Sequence, residues 1–516
     1  MASRKIEFEQ NVTLVQADAL ALCQELAAVA SRLLDFALVS WGEKVEIRSF
    51  DRMKKHSGSY FTPVALADMV VGRVLGELVA EGRSGPFKII DPAMGPGIFL
   101  LVAIERLKQL ACNQGESVFP EDLVDIASGL YGVDLDLANV IVARFCLWFA
   151  TGTKIEKPFS LMSNLRVGNA LLGCSKEEAR HIPEAFFKRN DLKLVKRIPS
   201  PKKLELKKAI ESGYFSNPDR WCALWFAERA DLLIDFTCPD WLEKLGQELD
   251  KLASREMFFH FQSQYAEVFG EGDNTSGFDA VIGNPPWEIA KPNSREIFAR
   301  YDPDYWSYGK QKAITIQQEL LDRHPDLALH WSNLQKNYQF LIHFLKHAPS
   351  QFVRGKKSFC HQGRGDANLY KLFIEQAYAL TRSAGVFSLI VPAGIYCDSG
   401  CRDLRGLLLK NCRWSSLTGF ENVDSAFDIH RSFKYCFFVA SKNGTTDSIS
   451  ASFLNTLASA DSASLSQNPQ FTKEKIDSFS PEHSILLESE GSAALNLLEK
   501  IYSGSTPVSR FAAGAY

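Results

Sequence analysis

Asn284, Pro285, Pro286 and Trp287 are the residues of this 516-residue chain with the clearest chemical meaning. An amide oxygen and the neighbouring Pro285 carbonyl can together accept both hydrogens of an exocyclic amino group. An indole face can hold the flat ring that carries the group. The set suits a planar heterocycle bearing an NH2, adenine among them. Taken alone, the run also reads as a strand-end turn with a core Trp. The element that must position it is the apolar stretch Phe278–Gly283, which reads as a buried strand. Two successive prolines cannot continue a strand, so the chain leaves the sheet here. In open α/β sheets that carboxyl edge is where ligands bind.

A second set lies upstream. Lys88-Ile89-Ile90 reads as a strand running into Asp91-Pro92-Ala93-Met94-Gly95-Pro96-Gly97, and Ile98–Ile104 then shows a helical pattern. Strand, glycine turn and helix make the first unit of a nucleotide-binding α/β domain. Gly95 and Gly97 let backbone come close to a ligand. No third glycine follows at the spacing of a pyrophosphate fingerprint. The acid that opens the turn repels phosphate and suits a cationic or amine-bearing ligand. The strand Leu130–Val133 ends in Asp134, at the place where an acid commonly holds ribose hydroxyls. Asp91 and Asp134 stand further apart than in a simple βαβ unit, so an inserted loop or helix is expected around residues 112–128.

These motifs together resemble the N6-adenine DNA methyltransferases of the gamma type, which use S-adenosylmethionine (SAM) as methyl donor. Tyr60-Phe61-Thr62-Pro63 matches the first motif of that family, followed in its order by Asp91–Gly97, Gly132–Asp134 and Asn284–Trp287. Gly363–Tyr370, the strand Ser388–Pro392 and the segment Phe427–Tyr435 complete the set. Trp221-Cys222-Ala223 and the Gly-Arg-Gly-Asp run look most like the large methyltransferases of type IIG restriction and of BREX- or DISARM-like phage defence. The resemblance implies a Rossmann-like SAM-dependent methyltransferase fold of the α/β class. It also implies a site-specific enzyme acting on a flipped adenine in double-stranded DNA.

By the same resemblance Tyr60 and Thr62 cover the methionine end of SAM, Asp91 accepts from its amino group, and Ala93, Gly95 and Gly97 line it. Asp134 holds the ribose. Asn169 matches a position that bonds the SAM adenine edge, with a capping Asn as the alternative. Asn284 and the Pro285 carbonyl hold the target amine, Pro286 stiffens the turn, and Trp287 stacks on the base. Phe433 is a candidate second ring, or else a strand-core Phe. Asp366, Asn368 and Tyr370 are candidates for the pocket floor, with helix capping by Asp366 or Asn368 as the rival. A protein glutamine-N5 methyltransferase shares a similar Asn-Pro-Pro-aromatic turn, and a non-catalytic DNA-binding or assembly subunit is a further alternative.

Composition narrows the class. At 46% hydrophobic residues the chain can bury a large core, and its net charge of −3 is not that of an overall basic nucleic-acid binder. Eleven cysteines include no CxxC pair, so no metal site is expected from spacing, and the transfer chemistry needs none. Free cysteines and the lack of a signal peptide or apolar span suit a cytoplasmic protein.

Along the chain, residues 1–55 read as an N-terminal helical region, with one or two long helices over Val12–Ser40. Residues 56–443 read as the catalytic domain, interrupted at 175–270 by a mainly helical insertion. That insertion carries a basic run including Lys188, Lys196 and Arg197, suited to phosphate or else a solvated loop. Residues 444–516 are expected to be a Ser/Thr/Asp/Asn-rich linker and a helix over Ser492–Tyr502, at the edge of a recognition region. Target selectivity is then expected from a specificity or defence-system partner protein, or from further sequence.

Overall fold

The computed structural model describes residues 62–83, 85–113, 120–152, 162–180, 217–227, 241–270, 276–363, 365–457 and 468–503. It adds a hairpin nearer the N-terminus and the isolated residues 21, 26 and 208. The hairpin strands β1 (Phe36–Trp41) and β2 (Lys44–Ser49) pair antiparallel, with Trp41 opposite Lys44. The helical expectation therefore fails over Phe36–Ser40. Aromatic and β-branched residues there, answered by the alternating Val45 and Ile47, favour a ladder over a helix.

Nine strands form the central sheet. They are β3 (Ile89–Asp91), β4 (Leu130–Asp134), β5 (Leu165–Val167), β6 (Phe278–Gly283), β7 (Thr381–Pro392), β8 (Cys412–Glu421), β9 (Lys434–Lys442), β10 (Ser448–Asn455) and β11 (Gln470–Thr472). Their spatial order is β11-β10-β8-β9-β7-β6-β3-β4-β5. From β5 through β7 every pairing is parallel, and β9 runs antiparallel between β7 and β8. Strand order reverses beside β3, so the ends of β3 and β6 border the crevice where such sheets bind ligands.

Every residue of β3 and β6 is buried, as continuous apolar runs in a parallel sheet require. Alternating side chains divide between two cores. Ala280, Ile282, Val386 and Ile390 pack with the helices Val64–Ala80, Ile98–Asn113 and Leu137–Thr151. Val281, Phe387, Leu389 and Val391 pack with Pro218–Phe226, Leu369–Leu380 and Arg402–Asn411. The first of these helices buries Leu66, Ala67, Val70, Val71, Val74, Leu75 and Leu78, one stripe at helical spacing. The expected element between Asp91 and Asp134 is the helix Pro120–Ser128.

The described part of the 175–270 insertion is helical and carries no strand. It is strapped to the β5 edge by backbone bonds from Asn169 N to Met257 O and from Phe259 N to Leu172 O, both 2.7 Å. Between β6 and β7 two further helices, Lys310–Arg323 and Pro325–His347, close over their own small core of Phe298, Tyr305, Leu320, Leu327 and Trp331. The motif order is silent on them.

Residues 444–480 are not simply a linker. β10 lies parallel to β8 and β11 antiparallel to β10, so the sheet continues past Asn443. Ile449, Ala451 and Phe471 are buried there, an alternation that the surrounding Ser and Asn residues mask in composition. The helix Ser492–Ser503 follows as expected. Among the described residues no helix is long and apolar enough to cross a membrane.

Candidate active site

Asp91 closes β3 and is fully buried. Its Oδ1 accepts from the Ala93 backbone N–H at 3.0 Å, while Oδ2 is buried with no hydrogen-bond partner. Burial, reinforced by the charge of Asp134, pushes the carboxyl up to about 8 against the pull of the Ala93 N–H. The glycine turn that follows is pinned to β4, since Met94 N donates to Val133 O at 3.0 Å and Gly95 N to Asp134 Oδ2 at 2.9 Å. Gly97 has φ +91°, and a Cβ there would stand 2.9 Å from that of Ala143, so only glycine lets the turn sit against the helix Leu137–Thr151.

Asp134 ends β4. Its Oδ1 accepts from Asp136 N at 2.8 Å and Asn139 Nδ2 at 3.1 Å, in addition to Gly95 at Oδ2. Burial raises its carboxyl above the ordinary range, while these three donors oppose the shift. A carboxylate has about four lone-pair sites, so three donors leave room for one more. Leu135 and Leu137 beside it are exposed, an apolar flank that no motif marks. Asn169 follows β5, and its Oδ1 accepts from Leu171 N at 3.2 Å, a local turn bond of the capping kind.

β6 ends at Gly283, directly beside β3. A Cβ on Gly283 would stand 2.6 Å from Asp91 Oδ1, so glycine is what lets the two strand ends meet. The next residue, Asn284, donates from Nδ2 to Thr62 Oγ1 at 3.1 Å, and its Oδ1 is buried without a partner. Pro285 is buried and Pro286 half-buried. The Trp287 Nε1 donates to the Ile390 carbonyl of β7 at 3.2 Å, which fixes the ring plane. Phe433 lies parallel to it, centroids 6.0 Å apart and planes 12° apart. Phe427 meets it edge-on at 4.9 Å, and Tyr435 lies 6.0 Å away. The sequence signal for this nest was the recurrence of aromatics over Phe427–Tyr435.

Two expectations change. Phe433 is no strand-core residue: it precedes β9, in a turn where its N–H bonds His430 O, and is 42% exposed. Tyr370 is not a floor residue. It is only 5% exposed, with its hydroxyl 3.4 Å from Cys401 Sγ, because the helix Leu369–Leu380 turns that position into the core. Its motif does reach the site, through Leu369 N to Glu288 O and Ala290 N to Ala367 O, both 2.8 Å. Asn368 stands at the helix N-cap without a side-chain cap bond. Tyr60, Lys188, Lys196 and Arg197 lie outside the described residues.

A sheet in this order, with a buried acid and glycine turn after β3, an acid closing β4 and an Asn-Pro-Pro-Trp end on β6, is a Rossmann-like methyltransferase fold. The chain belongs to the Eco57I restriction-modification methylase family, which it matches over residues 128–319 and 343–427. It is similar, at 23% identity over 276 residues, to a Methanocaldococcus jannaschii protein named as a type II restriction enzyme and methyltransferase; the match covers 42% of this chain and 23% of that one. Among solved structures it is similar to a DrdV–DNA complex, with TM-score 0.44 and 10% identity over 91% of this chain and 34% of that one. It is also similar to a nuclease-deletion mutant of the type ISP restriction-modification enzyme LlaGI, with TM-score 0.39 and 14% identity over 78% and 25%. The chain thus spans about a quarter of the length of the relatives named first in sequence and structure.

Proposed function

We propose that the protein transfers a methyl group from SAM to the N6 amine of an adenine flipped out of duplex DNA, within a restriction-modification or phage-defence system. The observation that carries this reading is the Asn284 amide. Its oxygen is buried and unpartnered while its nitrogen is tied to Thr62, so the free acceptor has one orientation.

An amine conjugated to a purine ring is a poor nucleophile because its lone pair is delocalised. Acceptance of its two hydrogens by Asn284 Oδ1 and the Pro285 carbonyl localises that pair on nitrogen. Direct displacement then asks mainly for positioning. The Trp287–Phe433 stack offers a flat apolar face to a base that is out of reach inside a duplex. SAM supplies an electrophilic sulfonium methyl. The residues fit it: the orphaned Asp91 Oδ2 suits its ammonium group, the glycine turn leaves room for backbone approach, and Asp134 retains an acceptor site for a ribose hydroxyl.

The test is mass spectrometry of nucleosides from DNA incubated with the chain and isotopically labelled SAM. N6-methyladenine is expected. N4-methylcytosine, or methylglutamine in protein, would overturn the adenine assignment.

Sequence selectivity is proposed to come from a partner protein or from further C-terminal sequence. The net charge is −3, and the described residues after Asn443 extend the central sheet and build no separate module. Isolated, the chain should bind unrelated duplexes weakly and alike, with affinity falling steeply as salt rises. Tight binding to one sequence at about 150 mM salt in anisotropy titrations would place recognition within the chain.

A further inference from the structure

Cys174, Cys222 and His260 come together in the core where the helical insertion meets the β5 edge. They are distant in sequence, and nothing in the proposed transfer chemistry uses them. Their ligating atoms all lie within 4.8 Å of one another, and the residues are 1%, 0% and 5% exposed. They are the one such His/Cys/Asp/Glu group among the described residues.

Buried cysteines alone would be ordinary packing. The histidine is what sets this group apart. Its Nε2 lies 3.0 Å from Asp219 Oδ1, and the carboxylate can only accept, so the proton sits on Nε2. The lone pair is thereby left on Nδ1, the nitrogen that faces Cys174; it accepts from the Cys174 backbone N–H at 3.1 Å, a bond that an ion bound there would displace. A carboxylate fixing the far nitrogen of a buried imidazole, with thiols beside the near one, is how a metal-ligating histidine is held.

We infer that Cys174, Cys222 and His260 bind a zinc ion that clamps the inserted helices to the catalytic sheet. Two thiolates and an imidazole match the soft-to-borderline ligands that zinc prefers. Bonds of about 2.3 Å to sulfur and about 2.0–2.1 Å to nitrogen would draw the three atoms in to roughly 3.5–3.8 Å of one another. Binding releases the thiol protons to solvent and changes no oxidation state. Each ligand comes from a different element: Cys174 from the segment after β5, Cys222 from the helix Pro218–Phe226, and His260 from the turn after the helix Trp241–Glu256. An ion here would cross-link three pieces that backbone bonds already bring together. That is a structural role, independent of the transfer reaction.

The full chain, purified under reducing conditions without chelator, should carry about one zinc per molecule. After chelation, Co2+ should restore binding with thiolate-to-metal charge-transfer bands. The chelated protein should melt at lower temperature, and added Zn2+ should reverse the shift. Cys222→Ser and His260→Gln should lose the ion, and Cys436→Ser should keep it. Asp219→Asn touches no metal in this arrangement, yet it should weaken Zn2+ affinity by about 10–100-fold. That effect separates a ligating histidine from one that only packs. Failure of folded, fully reduced protein to take up Zn2+ or Co2+ stoichiometrically would overturn the inference. So would equal zinc content in Cys222→Ser, or a Cys174–Cys222 disulfide found by peptide mapping of the native protein.

Discussion

The carboxyl ends of β3 and β6 lie side by side, and each presents one buried oxygen with no partner: Asp91 Oδ2 and Asn284 Oδ1. The two differ in what holds them and in charge. Asp91 is anchored by a backbone N–H within its own turn, fully buried, its carboxyl lifted well above the ordinary range. Asn284 is anchored by Thr62, a side chain from outside the sheet, and cannot ionise. A buried carboxyl gains most from a cation that repays its desolvation. A neutral amide suits an amine whose lone pair must stay free to react. On the proposed function, neighbouring strand ends would divide one crevice between a charged ligand and a neutral nucleophile.

The largest effects should come from removing either oxygen, and they should separate. Asp91→Ala is expected to abolish SAM binding in calorimetry. Asn284→Ala should leave SAM affinity nearly intact while lowering kcat by about 10²–10³-fold, the scale for losing one preorganised polar contact to a reacting group. If both variants lost SAM binding equally, the division between the strand ends would fail.

How far this division could be read from sequence depended on locality. Asp91, the glycine turn and Asn284–Trp287 each sit at a strand end marked by a continuous apolar run and a chain-breaking residue, so element and proposed role could be read together. The Thr62–Asn284 bond spans 222 positions and had no local signal. Tyr370 failed because motif membership does not say which helix face a residue occupies. β10 and β11 failed because short half-buried strands, with Ser on their outer positions, resemble a linker in composition. The hairpin over Phe36–Ser49 failed because alanine and leucine alone suggested helix where β-branched residues decided otherwise. The Cys174–Cys222–His260 group was invisible because only the tertiary fold brings its members together.

The aromatic side of the β6 end should give the next largest effect. Trp287→Ala removes a stacking face worth about 1–3 kcal/mol per base. Its cost should be greater on fully paired duplex than on DNA with a mismatched target adenine, because mismatch lowers the cost of extrusion. Equal loss on both substrates would remove Trp287 from base handling. Thr62→Val should be milder, about fivefold in kcat for one hydrogen bond of about 1 kcal/mol, with SAM affinity retained. A loss as large as that of Asn284→Ala would mean that Thr62 does more than orient the amide.

A last effect tests the charge difference itself, through stability and without any ligand. Burial lifts the Asp91 carboxyl to about 8, against about 3.9 in an unfolded chain. Between those values the folded protein keeps a proton that the unfolded chain has released. Stability from this group is therefore fully present below about pH 4 and is lost as pH rises through about 8. Asp91→Asn cannot lose that proton, so its melting temperature should gain on the parent as pH climbs, and level off above about pH 8. Asn284→Asp should do the reverse. It places a second carboxyl beside the first, and like charges at close range raise each other's pKa. Its melting temperature should fall more steeply with pH than the parent's. Parallel melting curves for all three proteins between about pH 5 and about pH 9 would show that the strand ends do not differ in the charge they hold.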